Sequence, residues 1–176
     1  FLAGLSWSFG AVVVRHMENA NFYVFQYLFY RGISIAIILI TYLIIREGFS
    51  FYKNFLKIGF SGVLGGIFLA IAFTGFIYSI TITSAAVTLF MLAAMPFIAA
   101  IFGYLFLNEV LRRSTLFSMV IAFIGVCIMI INDSISGTIL GALLGFLSAT
   151  GFALYTLTIR WKPETPKFTT VVLAGL

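Results

Sequence analysis

Residues 84–113 read SAAVTLFMLAAMPFIAAIFGYLFLNEVLRR. The 24 residues from Ser84 to Leu107 carry no charge, and Asn108, Glu109, Arg112 and Arg113 follow at once. About 20 apolar residues in helical conformation cross the hydrocarbon core of a bilayer. The stretch is therefore one transmembrane helix with a proline, Pro96, at its middle and a polar stop at its end. Upstream, the uncharged run reaches back to Ile58, so residues 58 to 108 contain no charged side chain. A single helix of that length would be roughly 77 Å long, more than twice the hydrocarbon thickness. The run must fold back once. Residues 79–84, SITITS, are the natural break, because hydroxyl and β-branched residues are weak helix formers that bond locally.

The rest of the chain falls into place around this hairpin. The sequence is 62% hydrophobic and 9% charged, with a mean hydropathy of +1.18. Soluble domains carry about 25% charged residues. The reading is an all-α, polytopic helix bundle. The first span is Phe1 to about Val14, short at its start. The second is Phe22 to Ile45, the third about Ile58 to Tyr78, and the fourth Ser84 to Leu107. The fifth is about Thr115 to Ile131, the sixth about Thr138 to Ile159, and the seventh starts at Phe168. Both ends of the sequence read as cut, which implies a piece of a longer membrane protein.

Charge gives this count a test. The connections after spans two, four and six hold Arg46, Lys53, Lys57, Arg112, Arg113, Arg160, Lys162 and Lys167. Those after spans one, three and five hold only Arg15. Eight bases against one is a strong positive-inside bias. Connections 46–57, 108–114 and 160–167 are accordingly expected in the cytoplasm, with the protein in the inner (plasma) membrane. The net charge of +5 thus reports topology, and no nucleic-acid partner is expected.

Arg31 is the one charge well inside a span. It is the tenth residue of span two, ~14 Å from the outer end at helical rise. An arginine at that depth is costly and faces a bundle interior or a watery cavity. Two readings stand: a cationic anchor for an anionic or zwitterionic solute, or a structural arginine bonded to carbonyls of neighbouring helices. Tyr27 shares its face, four residues earlier. Pro96 removes one backbone bond and bends span four. Thr88, Met91 and Met95 belong to a small or adaptable stripe on that span, more often a packing seam than a site. Gly62-Gly66 on span three, and Gly137, Gly141 and Gly145 leading into span six, permit close helix approach. Glu109 reads as an end-of-helix charge paired with Arg112-Arg113.

Other chemistry finds no residues to use. Cys127 is the single cysteine and His16 the single histidine, so neither a disulfide nor a metal cluster is built from them. Motifs for hydrolases, metalloenzymes and phosphate loops are missing, so neither an enzyme nor a cofactor is expected. No Asp or Glu lies within a span, and this stretch offers no visible proton relay.

A weak internal repeat appears at an offset of 142: Leu2, Leu5, Ser6 and Ala11 match Leu144, Leu147, Ser148 and Ala153. Five helices per unit would invert the second copy. Arg31 with Ala36, the run Pro96 to Glu109 ending in Leu107-Asn108-Glu109, and Gly125-Val126 together resemble the EamA-type transporters of the drug/metabolite transporter superfamily. Trp7, followed by Ser8 and Gly10, suits that family's opening. The resemblance implies ten helices in two inverted five-helix repeats. Residues 1–132 would be the first repeat and 137–176 the start of the second. It also implies transport of amino acids, other metabolites or drugs, often outward, through a central cavity. The expected substrate contacts are Trp7, Tyr27, Arg31, Thr88 and Met95, with Pro96 shaping the pocket. The expected partners are a small-molecule solute and the lipid bilayer, with a homodimer left open. The rival reading is a non-transporting multi-pass scaffold or membrane-enzyme subunit.

Overall fold

The computed structural model describes residues 12–14, 16–17, 22–48, 55, 57–110, 113–131 and 139–175. Their elements are α1 (Val24–Glu47), α2 (Gly59–Ile82), α3 (Ala85–Leu92), α4 (Met95–Leu107), α5 (Arg113–Ile131), α6 (Ile139–Trp161) and α7 (Lys167–Gly175). No strand occurs among the described residues. Among the described residues, four helical stretches are long and apolar enough to cross a membrane: Val24–Arg46, Gly59–Ile82, Ala85–Leu107 and Ile139–Trp161. The polytopic all-α reading holds. Of the first span, only Val12–Val14 and His16 are described as helical, with Val14 buried.

The fold-back falls at Thr83-Ser84, at the end of the hydroxyl-rich segment. Thr83 is extended and stops α2, while Ser84 caps α3, its side chain accepting a bond from the Val87 amide at 3.1 Å. A serine N-cap satisfies one of the amides a helix start leaves unpaired. The segment before it, Ser79 to Ile82, remains helical because tertiary packing overrides its weak propensity. Span four is itself broken, into α3 and α4, by a turn at Ala93-Ala94. Pro96 has no N–H for the Leu92 carbonyl, and the preceding amides tighten: Ala94 donates to the Met91 carbonyl at 3.1 Å.

Alpha-helix α4 ends at Asn108, which is left-handed (φ 53°), and the Glu109 amide turns back to the Gly103 carbonyl at 3.2 Å. Asparagine is one of the few residues with a side chain that tolerate this conformation, so the Leu-Asn-Glu sequence is a helix terminator.

The core is the crossing of α2 and α6. Without a hydrophobic drive between helices in lipid, association relies on close backbone approach and interhelical bonds. Both occur here. A Cβ on Gly151 would lie 2.8 Å from the Phe68 carbonyl oxygen, and one on Gly75 would lie 2.9 Å from that of Leu144. Between them, buried Ser148 donates to the Ala72 carbonyl at 2.7 Å. Nearer one end, Ser79 donates to the Gly141 carbonyl at 2.8 Å and meets the Thr88 hydroxyl at 2.8 Å. The Thr88 hydroxyl also lies 3.2 Å from the Ser84 carbonyl, so the two hydroxyl protons serve a small network of the Ser84 and Gly141 carbonyls and the hydroxyls themselves. The seventh span packs on Gly62 and Gly66, as that glycine pair anticipates.

The ends of the bundle sort as the charge alternation requires. At one end, Val14, Val24, Phe76, Ile77 and Ile80 form a buried cluster joining the end of span one, the start of α1 and the end of α2. At the other end, Ser61 near the start of α2 bonds Thr165 after α6 at 2.7 Å, and Glu109 after α4 pairs with Arg160. The connections after spans two, four and six thus share one end.

Candidate functional site

Arg31 lies half-buried on α1, where its face turns toward α2 and α7. Its guanidinium carbon sits 4.1 Å above the centre of the Phe73 ring. A guanidinium over an aromatic face gains cation–π attraction, about 2 kcal/mol or more once desolvated. Among the described residues Arg31 has neither a carboxylate nor a hydrogen-bonding partner, so none of its five N–H donors is spent on the described parts of the neighbouring helices.

The donors border a cleft of about 690 Å³ between α1, α2 and α7. Gln26, Tyr30 and Arg31 supply its polar groups, while Phe29, Phe73 and Val171 are part of its apolar wall. The cleft owes its shape to Gly32 and Gly175. A Cβ on Gly32 would overlap the Gly175 carbonyl, and one on Gly175 would lie 3.0 Å from the Gly32 carbonyl oxygen. The two backbones touch directly beneath Arg31, so α7 closes one side without filling the space above.

The other expected contacts are distributed more widely. Met95, at the break in span four, packs with Phe73 and Tyr155 around the buried cluster of Leu69, Ala72 and Phe152. It shares that cluster with Phe73 but does not line the Arg31 cleft. Tyr27 lies one turn from Arg31 but packs against the cluster of Val24, Phe76 and Ile80. Thr88 is fully buried and bonded within the Ser79–Gly141 group, away from the cleft. Pro96 is exposed and does not line the cleft. Trp7 lies outside the described residues, as does the Cys127 side chain. Sequence reasoning did not single out Phe73. A lone phenylalanine among 21 gives no signal until a cation is found above it.

Glu109 does not use Arg113. Its carboxylate pairs with Arg160 at the end of α6, Nε donating to Oε1 at 3.1 Å. The left-handed Asn108 turns Glu109 back over Gly103, and a Cβ there would lie 2.8 Å from the Glu109 carboxylate. The missing side chain leaves the space the ion pair occupies. Arg112 lies outside the described residues.

No curated protein and no solved structure matches this chain. A family model does, that of the EamA-like transporter family, over residues 1–131. The match covers both the Arg31 span and the run from Pro96 to Glu109. With its polytopic helical bundle, the chain belongs to the EamA-like transporter family and is a multi-pass membrane protein of a family that transports small solutes.

Proposed function

We propose that the protein exports small amino-acid-like or drug-like solutes across the inner membrane by alternating access, with Arg31 binding an anionic group of the solute. The observation that carries this is a guanidinium deep within a span, bordering a cleft of about 690 Å³ and free of any carboxylate among the described residues. Placing a charge there is costly, and an anionic group is the natural complement of donors that the described residues leave unpaired. Phe73 holds the guanidinium plane, and the apolar wall of the cleft suits the carbon skeleton of the solute.

Tyr27 and Met95 do not line this cleft; in this reading they and Trp7 of the first span reach the solute in another state of the rocking cycle, and Pro96 shapes the pocket. Thr88 acts by holding spans three, four and six together. Residues 1–132 form one five-helix repeat and 137–176 begin an inverted second one, the plan in which two repeats rock about a shared midplane site. The connections at the Glu109–Arg160 end face the cytoplasm, as their excess of bases favours. Full-length protein in liposomes, loaded with a mixture of labelled amino acids, should release label faster than protein-free liposomes. Equal release for this mixture and for a panel of other small metabolites and drug-like compounds would end the transporter reading.

A further inference from the structure

Two cavities meet at Trp161, and their chemistries are opposite. One, of about 730 Å³, lies beyond the end of α6 and is lined by Lys57, Ser61, Lys162, Glu164 and Thr165 together with Trp161. The other, of about 370 Å³, runs along the helices just inside that end. Its wall is Leu64 and Phe68 of α2, Phe106 and Leu107 of α4, Leu154, Leu157 and Thr158 of α6, and the same Trp161. Tryptophan favours the level of the headgroups, with its ring against hydrocarbon and its N–H toward water. The Lys162 ammonium lies 5.6 Å from the Trp161 ring centre, so a cation sits at the junction itself.

We infer that this pair of cavities is a binding site for one anionic phospholipid: its phosphate headgroup lies between Lys57 and Lys162, and an acyl chain fills the groove between α2, α4 and α6. The order of the two cavities is that of a lipid, charged group outside and hydrocarbon within, across an aromatic marker of the interface. Charge complementarity selects the headgroup. Lys57 and Lys162 outnumber Glu164 in the polar cavity, and Arg160 beside them is already neutralised by Glu109. A zwitterionic headgroup would bring its own cation to the lysines and gain less. The groove also bridges the third, fourth and sixth spans, so an acyl chain there would seal the helix ends around the Glu109–Arg160 pair. The site is separate from the Arg31 cleft and does not depend on what the protein transports.

The test uses full-length protein in phosphatidylcholine nanodiscs, doped with brominated phosphatidylglycerol or brominated phosphatidylcholine. Trp161 emission is taken as the difference between the parent and Trp161→Phe. Brominated phosphatidylglycerol should quench it at a several-fold lower mole fraction than brominated phosphatidylcholine. The double variant Lys57→Gln, Lys162→Gln should lose that preference, while Arg46→Gln, which removes a base elsewhere on the same side, should keep it. Equal quenching by the two lipids in the parent would overturn the proposal without any variant. So would equal loss of preference in Arg46→Gln, since the attraction would then belong to the whole basic surface.

Discussion

Glu109 and Arg160 are joined by an ion pair that ties the end of the fourth span to the end of the sixth, seated over the bare backbone of Gly103. Both side chains are about two-fifths exposed, at 36% and 41%, so water screens them. A pair of this kind contributes roughly 0.2–1 kcal/mol. Glu109→Gln and Arg160→Gln should each lower thermal stability slightly. A double-mutant cycle should return a coupling of about 0.5 kcal/mol. A coupling of zero would mean that the pair contributes nothing to stability.

The crossing of α2 and α6 should tolerate far less. Gly151→Ala and Gly75→Ala each place a methyl within 3 Å of backbone atoms that cannot rotate away. The helices must part, at a cost of about 1–3 kcal/mol. Gly125→Ala is the control, since nothing lies within 4 Å of its added Cβ. There the gain in helix propensity should leave stability unchanged or raised by roughly 0.5–1 kcal/mol. Thermal melts in detergent that rank the three alike would refute this picture of the crossing.

Asn108 tests the terminator of α4. Its left-handed backbone should accept Asn108→Gly without loss. Asn108→Val should destabilise by about 1–2 kcal/mol, because a branched side chain is strained there. It should also weaken the Glu109–Arg160 coupling, which depends on the turn.

Thr88 separates packing from transport. Thr88→Val keeps the shape of the side chain and removes the hydroxyl that meets Ser79. Interhelical bonds of this type in membranes average about 0.6 kcal/mol. A loss of that order in stability, with the apparent solute affinity unchanged, is the expected outcome. A clear rise in KM with an unchanged melting temperature would move Thr88 into the solute path.

The span pattern could be read from the sequence because a bilayer allows few alternatives. A 51-residue uncharged run has to fold back, and hydroxyl residues mark where. Arg31 stood out for the same reason, as the one base well inside a span. Its setting was hidden. Phe73 is one of many phenylalanines, and the contact of Gly32 with Gly175 joins residues far apart in sequence. Glu109 was given the nearest arginines as partners, whereas the local turn at Asn108 directs it to Arg160. Thr88 and Met95 share a stripe in an unbroken helix. The break at Ala93-Ala94 separates them, leaving one in the Ser79 group and the other against the cluster of Leu69, Ala72 and Phe152.

The role of Arg31 is the centre of the account, and counterflow of labelled amino acids in proteoliposomes of the full-length protein tests it most directly. Arg31→Ala should raise the apparent KM on the order of 10-fold or more, the loss of a charge-assisted bond of about 1.5–3 kcal/mol. Arg31→Lys should recover only part of it, since lysine keeps the charge but loses the planar fork and the seat on Phe73. Unchanged flux and KM in a folded Arg31→Ala protein would contradict the account and leave the arginine a structural residue.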